Sequence, residues 1–263
     1  MKKELPRDEF IRKRMERQRR IRKRRLVIFF ISFIILLLCV GVVLSLTVFF
    51  PIEKIKISGS KVYTAEEIQK YSGVLVGDNL FTVSEDRAEK MLKEKLPYIE
   101  TVSFSRRLPD TLNIKVTDAD EYAVYFKNNY YYTVSKSGWV LSKDTEPTQN
   151  LFTVSGVDVK LTVGQEAVFN KADDQELLNE LVNALNQNGI KINEIDLSEK
   201  ISISIKCEDR FTVNLGNANN IPEKIKHLSG MIKNIAPEKG GKINLGMWTS
   251  TNTTGTFVEG SAE

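Results

Sequence analysis

The longest uninterrupted apolar pattern runs from Leu26 to Phe50, 25 residues without a charge. At about 1.5 Å per residue this predicts a helix of roughly 37 Å, enough to cross a ~30 Å hydrocarbon core with some tilt. Pro51 follows where such a helix has to stop. Beyond it the pattern changes period. Ile52 to Ser58 alternates as a short strand ended by Gly59. Thr64 with Glu67 three residues on forms a capping box for a helix over 65–72 that stops before Gly73. Val76-Gly77-Asp78-Asn79-Leu80-Phe81 reads as a tight linker leading to Ser84. Ala88, Met91, Leu92 and Leu96 then recur at helical spacing until Pro97. Two strands follow, Ile99 to Ser105 and Thr111 to Asp118, around a turn at Leu108-Pro109-Asp110. The order strand–helix–helix–strand–strand predicts a two-layer α+β domain over 52–118.

From 119 to 249 the pattern is again mixed. Tyr122 to Phe126 and Tyr130 to Val134 flank Asn128-Asn129 as a hairpin. Trp139 to Ser142 and Leu151 to Val154 are short apolar strands. Leu177, Leu178, Leu181, Val182 and Leu185 make the apolar face of a helix over 173–187, stopped by Gly189. Strands are expected over 192–197, 201–207 and 211–215, with Glu208-Asp209 as a turn. A helix over 221–235 and a final strand from Ile243 to Met247 complete a mainly antiparallel sheet with two packing helices. The stretch 250–263 is rich in Thr, Ser and Gly with little apolar content and is expected to be disordered.

Charge adds orientation. Residues 1–25 hold 13 Lys and Arg against 4 Asp and Glu, whereas the rest of the chain nets −5. Basic residues beside a membrane span stay on the cytoplasmic side, so 1–25 is read as a cytoplasmic tail and 26–50 as an uncleaved transmembrane helix. A cleaved leader would have a shorter apolar region and a small-x-small site. The basic tail contains Phe10 as its single aromatic residue. Topology and attraction to anionic lipid therefore explain it better than nucleic-acid binding.

Chemistry is sparse. The two cysteines, Cys39 and Cys207, lie in an apolar run and a strand, so no disulfide is expected. His227 is the sole histidine. No nucleophile, phosphate-loop or metal-ligand motif appears. Asp118-Ala119-Asp120-Glu121 reads as a solvated hinge rather than a calcium site. No enzyme activity, cofactor, metal or small-molecule substrate is expected.

Several segments together resemble one family. They are Ile55-Lys56-Ile57-Ser58-Gly59, Gly77-Asp78-Asn79-Leu80-Phe81, Pro97-Tyr98-Ile99-Glu100-Thr101-Val102 and Arg106-Arg107-Leu108-Pro109-Asp110-Thr111-Leu112. Phe211-Thr212-Val213-Asn214-Leu215-Gly216 and Lys242-Ile243-Asn244-Leu245-Gly246 continue the match. The first part resembles a POTRA domain and the whole resembles the FtsQ/DivIB bacterial cell-division proteins. Two departures stand out: Ser135 where an aspartate is usual, and Asn-Leu-Gly where Asp-Leu-Arg is frequent. The resemblance implies a divisome scaffold at the septum, binding FtsB/DivIC-like and FtsL-like single-pass proteins and helping to control septal peptidoglycan synthesis. If the final strand is a sheet edge, Lys242, Ile243, Asn244, Leu245, Gly246, Met247 and Trp248 are the expected partner-binding residues, and two placements stay open for Trp248: a docking side chain, or one packed under its own helix. Two alternatives remain from other classes: a cell-envelope enzyme such as a peptidoglycan hydrolase, and a POTRA-type protein-export module.

Overall fold

A computed structural model describes residues 24–41, 50–249 and 254–260. The basic tail over 1–23 and the end of the apolar run over 42–49 lie outside them. Helix α1, Arg24–Gly41, is long and apolar enough to cross a membrane. The remaining elements are β1 (Lys54–Ser58), α2 (Ala65–Ser72), α3 (Glu85–Lys95), β2 (Ile99–Arg107), β3 (Thr111–Asp118), β4 (Glu121–Lys127), β5 (Tyr130–Ser135) and β6 (Val140–Asp144). After them come β7 (Phe152–Ser155), β8 (Val159–Lys160), β9 (Val168–Phe169), α4 (Ala172–Gln187), β10 (Ile192–Asp196), β11 (Ile203–Cys207) and β12 (Phe211–Gly216). The chain closes with α5 (Ile221–Asn234), β13 (Gly241–Asn244) and β14 (Thr256–Glu259). Strands β1, β3 and β2 form one sheet in that order, and nine strands form a second, β14-β13-β12-β11-β10-β7-β4-β5-β6.

Two compact units divide the chain. In the smaller, the segment 74–84 is no free linker. It pairs with the residues just before β1: Ile52 N–H donates to Asp78 O at 2.7 Å, and Leu80 N–H to Phe50 O at 2.9 Å. Arg106 Nε–H donates to Leu80 O at 2.8 Å, and Asp110 O accepts from the Glu53 amide at 2.9 Å. Ile52, Leu80 and Leu112 are fully buried here. The signature residues of this region therefore satisfy backbone groups and hold the fold.

In the larger unit the Thr64–Glu67 capping box is made in both directions, at 3.2 and 2.9 Å. Asp118 accepts from Ser60 Oγ and the Lys61 amide, and Glu121 accepts from the Tyr98 hydroxyl at 2.8 Å. The carboxylates read as a solvated hinge thus fasten one end of β3 and the start of β4. Asn128 and Asn129 both take left-handed backbone, as do Glu208 and Asp209. The two-residue hairpin between β4 and β5 demands this conformation at both asparagines, which follows the twist of the flanking strands, whereas the β11–β12 loop has a third residue, Arg210. Ser135 Oγ accepts the Trp139 amide at 3.0 Å and lies 2.8 Å from Ser137 Oγ. The Ser135 hydroxyl closes this turn.

Two β–α–β crossovers build the large sheet: β7–α4–β10 and β12–α5–β13, with β10 parallel to β7 and β13 parallel to β12. Helices α4 and α5 touch each other. Their Leu178, Leu181, Leu185, Ile221, Ile225 and Leu228 join Ile195, Ile205, Val213 and Ile243 of the sheet in one apolar cluster. Lys224 is buried within this layer, its ammonium donating to Leu215 O and Asn217 O at 2.8 Å each. It ties the start of α5 to the end of β12.

Candidate partner-docking edge

The C-terminal end of the large sheet is built around a repeated turn. Asn214 and Asn244 are register partners in the parallel pair β12/β13. Asn214 Oδ1 accepts the Gly216 amide at 2.7 Å, and Asn244 Oδ1 accepts the Gly246 amide at 2.8 Å. Leu245 N–H donates to Asn214 O at 2.7 Å, locking the second turn onto the first. A Cβ on Gly216 would stand 2.7 Å from Gly246 Cα, so glycine is required at this crossing.

This turn corrects the expected final strand. β13 ends at Asn244, and Trp248 N–H donates back to Leu245 O at 3.0 Å. The seven candidate residues therefore divide. Ile243, Leu245 and Trp248 are buried in the helix-side core, while Lys242, Asn244, Gly246 and Met247 are exposed. Trp248 is 8% exposed and Met247 79% exposed. Of the two placements open for Trp248, the packed one is found: the turn at 245–247 folds the side chain back toward α5. Its indole N–H is buried without a hydrogen-bond partner.

The second correction concerns the stretch 250–263. Residues 250–253 and 261–263 lie outside the described residues, but Thr256–Glu259 forms β14, antiparallel to β13. Ile243 stands opposite Phe257, Lys242 opposite Val258, and Gly241 opposite Glu259. Phe257 meets Phe211 edge-on with ring centroids 6.1 Å apart. The intervening strand carries no side chain at Gly241. A Cβ there would lie 2.2 Å from Val258 O, so that glycine admits the close approach of β14. The edge is braced from behind by Arg210, whose guanidinium donates to Ala236 O and Lys239 O and stacks 4.4 Å from the Phe211 ring centroid. Lys239 reaches Glu259 at 2.8 Å, an exposed ion pair.

Sequence pattern did hold a trace of β14. Thr256-Phe257-Val258 is a run of β-formers between Gly255 and Gly260, easily lost in a polar tail.

Beside this edge, α5 and Trp248 line a groove of about 530 Å³ with Glu223, Lys226, His227, Gly230, Met231 and Asn234. His227 is half-buried there. Among the described residues no cluster of His, Cys, Asp and Glu is arranged to hold a metal ion. Cys207 is fully buried on β11, and burial pushes its thiol up to about 12, so it is a core residue and not a nucleophile.

One apolar helix, a small β–α–α–β–β domain and a mixed sheet carrying two crossover helices define a POTRA-domain protein with an N-terminal apolar helix. Residues 50–118 match the family model "POTRA domain, FtsQ-type", and residues 123–246 match "Cell division protein FtsQ/DivIB, C-terminal". The chain belongs to the FtsQ/DivIB family of cell division proteins. It is 28% identical over 201 residues to the cell division protein DivIB of Clostridium acetobutylicum, covering 74% of this chain and 79% of the relative. The DivIB of Clostridium botulinum is 26% identical over 241 residues, 89% of this chain and 90% of its own. A solved extracytoplasmic domain of DivIB from Geobacillus stearothermophilus aligns at 9% identity and TM-score 0.25, covering 46% of this chain and 99% of that one.

Proposed function

We propose that this cell division protein is a non-enzymatic scaffold that gathers other single-pass division proteins outside the cytoplasmic membrane. Residues 1–25 serve as a cytoplasmic tail and 26–50 as the span, so the domains over 52–118 and 119–249 lie outside. The partners are FtsB/DivIC-like and FtsL-like proteins at the septum, and their assembly helps to control septal peptidoglycan synthesis. Membership of the FtsQ/DivIB family supports this reading.

The observation that carries the docking role is the C-terminal edge of the large sheet, where a strand is already accepted by backbone pairing on β13. Those groups are taken by β14, so an extended partner segment uses them in place of β14, and alternate side chains then supply specificity. The segment Lys242–Trp248 contributes its backbone at Lys242–Asn244 and its exposed side chains; Leu245 and Trp248 hold the edge in shape from within.

The test is capture of the intact chain from detergent-solubilised membranes, with co-purifying proteins identified by mass spectrometry. Two small coiled-coil membrane proteins are the expected catch. Recovery of export machinery instead, or degradation of cell-wall polymer by the purified chain, would reject the scaffold.

A further inference from the structure

Strand β14 occupies the very edge to which docking has been assigned, and its own sequence is an imprint of what that edge accepts. Gly255 passes where a Cβ would stand 2.6 Å from Leu245 Cδ2 and 2.7 Å from Met231 Sδ. Two positions on, Phe257 lies opposite Ile243 and finds the Phe211 ring. Two further, Glu259 pairs with Lys239. A small residue, an aromatic and an acid thus alternate along the face that β13 presents.

The hold on β14 is slight. The strand is four residues long, Phe257 is its one partly buried apolar side chain, and Val258 is 65% exposed. Its ion pair lies in solvent, where such pairs add little. The seat beneath is firm by contrast. Gly241, Arg210 and Phe211 are positioned by β12 and by the loop after α5, independently of the tail.

We propose that β14 is a resident occupant of the docking edge, and that a partner's strand exchanges with it on β13. The incoming strand runs antiparallel to β13 and carries the order small–x–aromatic–x–acidic. This rests on the proposed docking function and deepens it: the edge is competed for in cis, so apparent affinity scales with the fraction of chains whose edge is vacant.

A reversible lock tests the exchange. Lys242 and Val258 are exposed register partners across β13 and β14, a separation at which paired cysteines bridge. The full-length chain carrying Lys242→Cys and Val258→Cys, with Cys39→Ser to prevent cross-linking between chains, is oxidised and then reduced. Capture of the purified extracytoplasmic segment of the DivIC-like partner is measured in both states. The oxidised chain is expected to capture at least about tenfold less than the same chain after reduction. A chain ending after Thr253 is expected to capture about tenfold more than the intact chain, the resident competitor being gone.

Equal capture by the oxidised and reduced chains, with loss on truncation, would overturn the exchange and place the partner on the free side of β14. Equal capture by all four chains would remove the edge from the interaction altogether, and with it this inference. The scaffold reading itself is judged separately, by whether the intact chain recovers division partners from solubilised membranes and by whether it degrades cell-wall polymer. Because the locked and reduced chains share one sequence, misfolding cannot imitate the expected result.

Discussion

Asn214 and Asn244 sit side by side in parallel register, and each folds its side-chain oxygen onto the amide two residues ahead. The two turns stack so closely that Gly216 and Gly246 meet backbone to backbone. Gly216 also has φ of +69°, which disfavours any side chain. Gly216→Ala is expected to lower stability by more than about 1 kcal/mol. Asn244→Ala removes one hydrogen bond and should cost about 1 kcal/mol. Thermal unfolding of the detergent-solubilised chain measures both, and equal melting of Gly216→Ala and the parent would refute the close crossing.

Trp248 and Met247 are neighbours in sequence with opposite fates. Truncating the buried indole in Trp248→Ala should cost roughly 3–5 kcal/mol through the cavity it leaves. Met247→Ala, at a site 79% exposed, should stay within about 0.5 kcal/mol of the parent. Any loss of partner capture in Met247→Ala would then report a direct contact. The same loss in Trp248→Ala is expected to track unfolding, as limited proteolysis of the two variants would reveal.

Burial pushes the Cys207 thiol and the Tyr125 phenol each up to about 12, from ordinary values of 9.0 and 10.0. The unfolded chain therefore releases these protons first. Their contribution to stability is whole below pH 9 and is lost as pH climbs from there toward 12. Each group adds a slope of about 1.4 kcal/mol per pH unit while only its unfolded form is ionised. Urea midpoints at pH 8 and pH 10 should fall for the parent and fall less for Cys207→Ala. A second readout is alkylation, which should leave Cys207 untouched until the chain unfolds.

Lys224 works in the other direction. Burial lowers its affinity for the proton, the principal cause being desolvation of the ammonium. The unfolded lysine holds its proton more tightly, so this group destabilises the fold below its folded value and ceases to do so as pH rises toward 10.5. Lys224→Met removes that gain with pH and also leaves Leu215 O and Asn217 O without their donor. The difference in urea midpoint between variant and parent should therefore grow as pH rises from 8 to 10. A difference that shrinks over this range would contradict the buried ammonium.

The elements legible in sequence were those whose signal is local. The Thr64–Glu67 capping box, the paired-asparagine hairpin at 128–129 and the apolar stripe of α4 each encode their own geometry within a few residues. Long-range pairing left no such trace. The Pro51–Asn79 bridge read as a linker, because only the folded chain brings those residues together. The Val159–Phe169 pairing of β8 and β9 is too short to mark itself. At the proposed docking edge, periodicity did locate the inward positions Ile243 and Leu245. It could not show that Asn244 would turn the chain, since an asparagine near a strand end is compatible with either course. Nor could it show that Thr256–Glu259 would find β13, a pairing decided by Gly241 and the Phe211 ring far from the tail.

The capped edge bears on how these molecules tolerate their own company. Chains held in one plane by a common membrane meet one another at high local concentration. Without β14, the unpaired backbone groups of β13 at the end of the sheet would then template pairing between copies of the chain. β14 forestalls this by ending the sheet on a segment four residues long, with a charged Glu259 and the flexible-backboned Gly260 at its margin. Removal of the tail should therefore carry a colloidal penalty alongside any gain in partner access, so crowded populations of the truncated chain would cluster without a partner present.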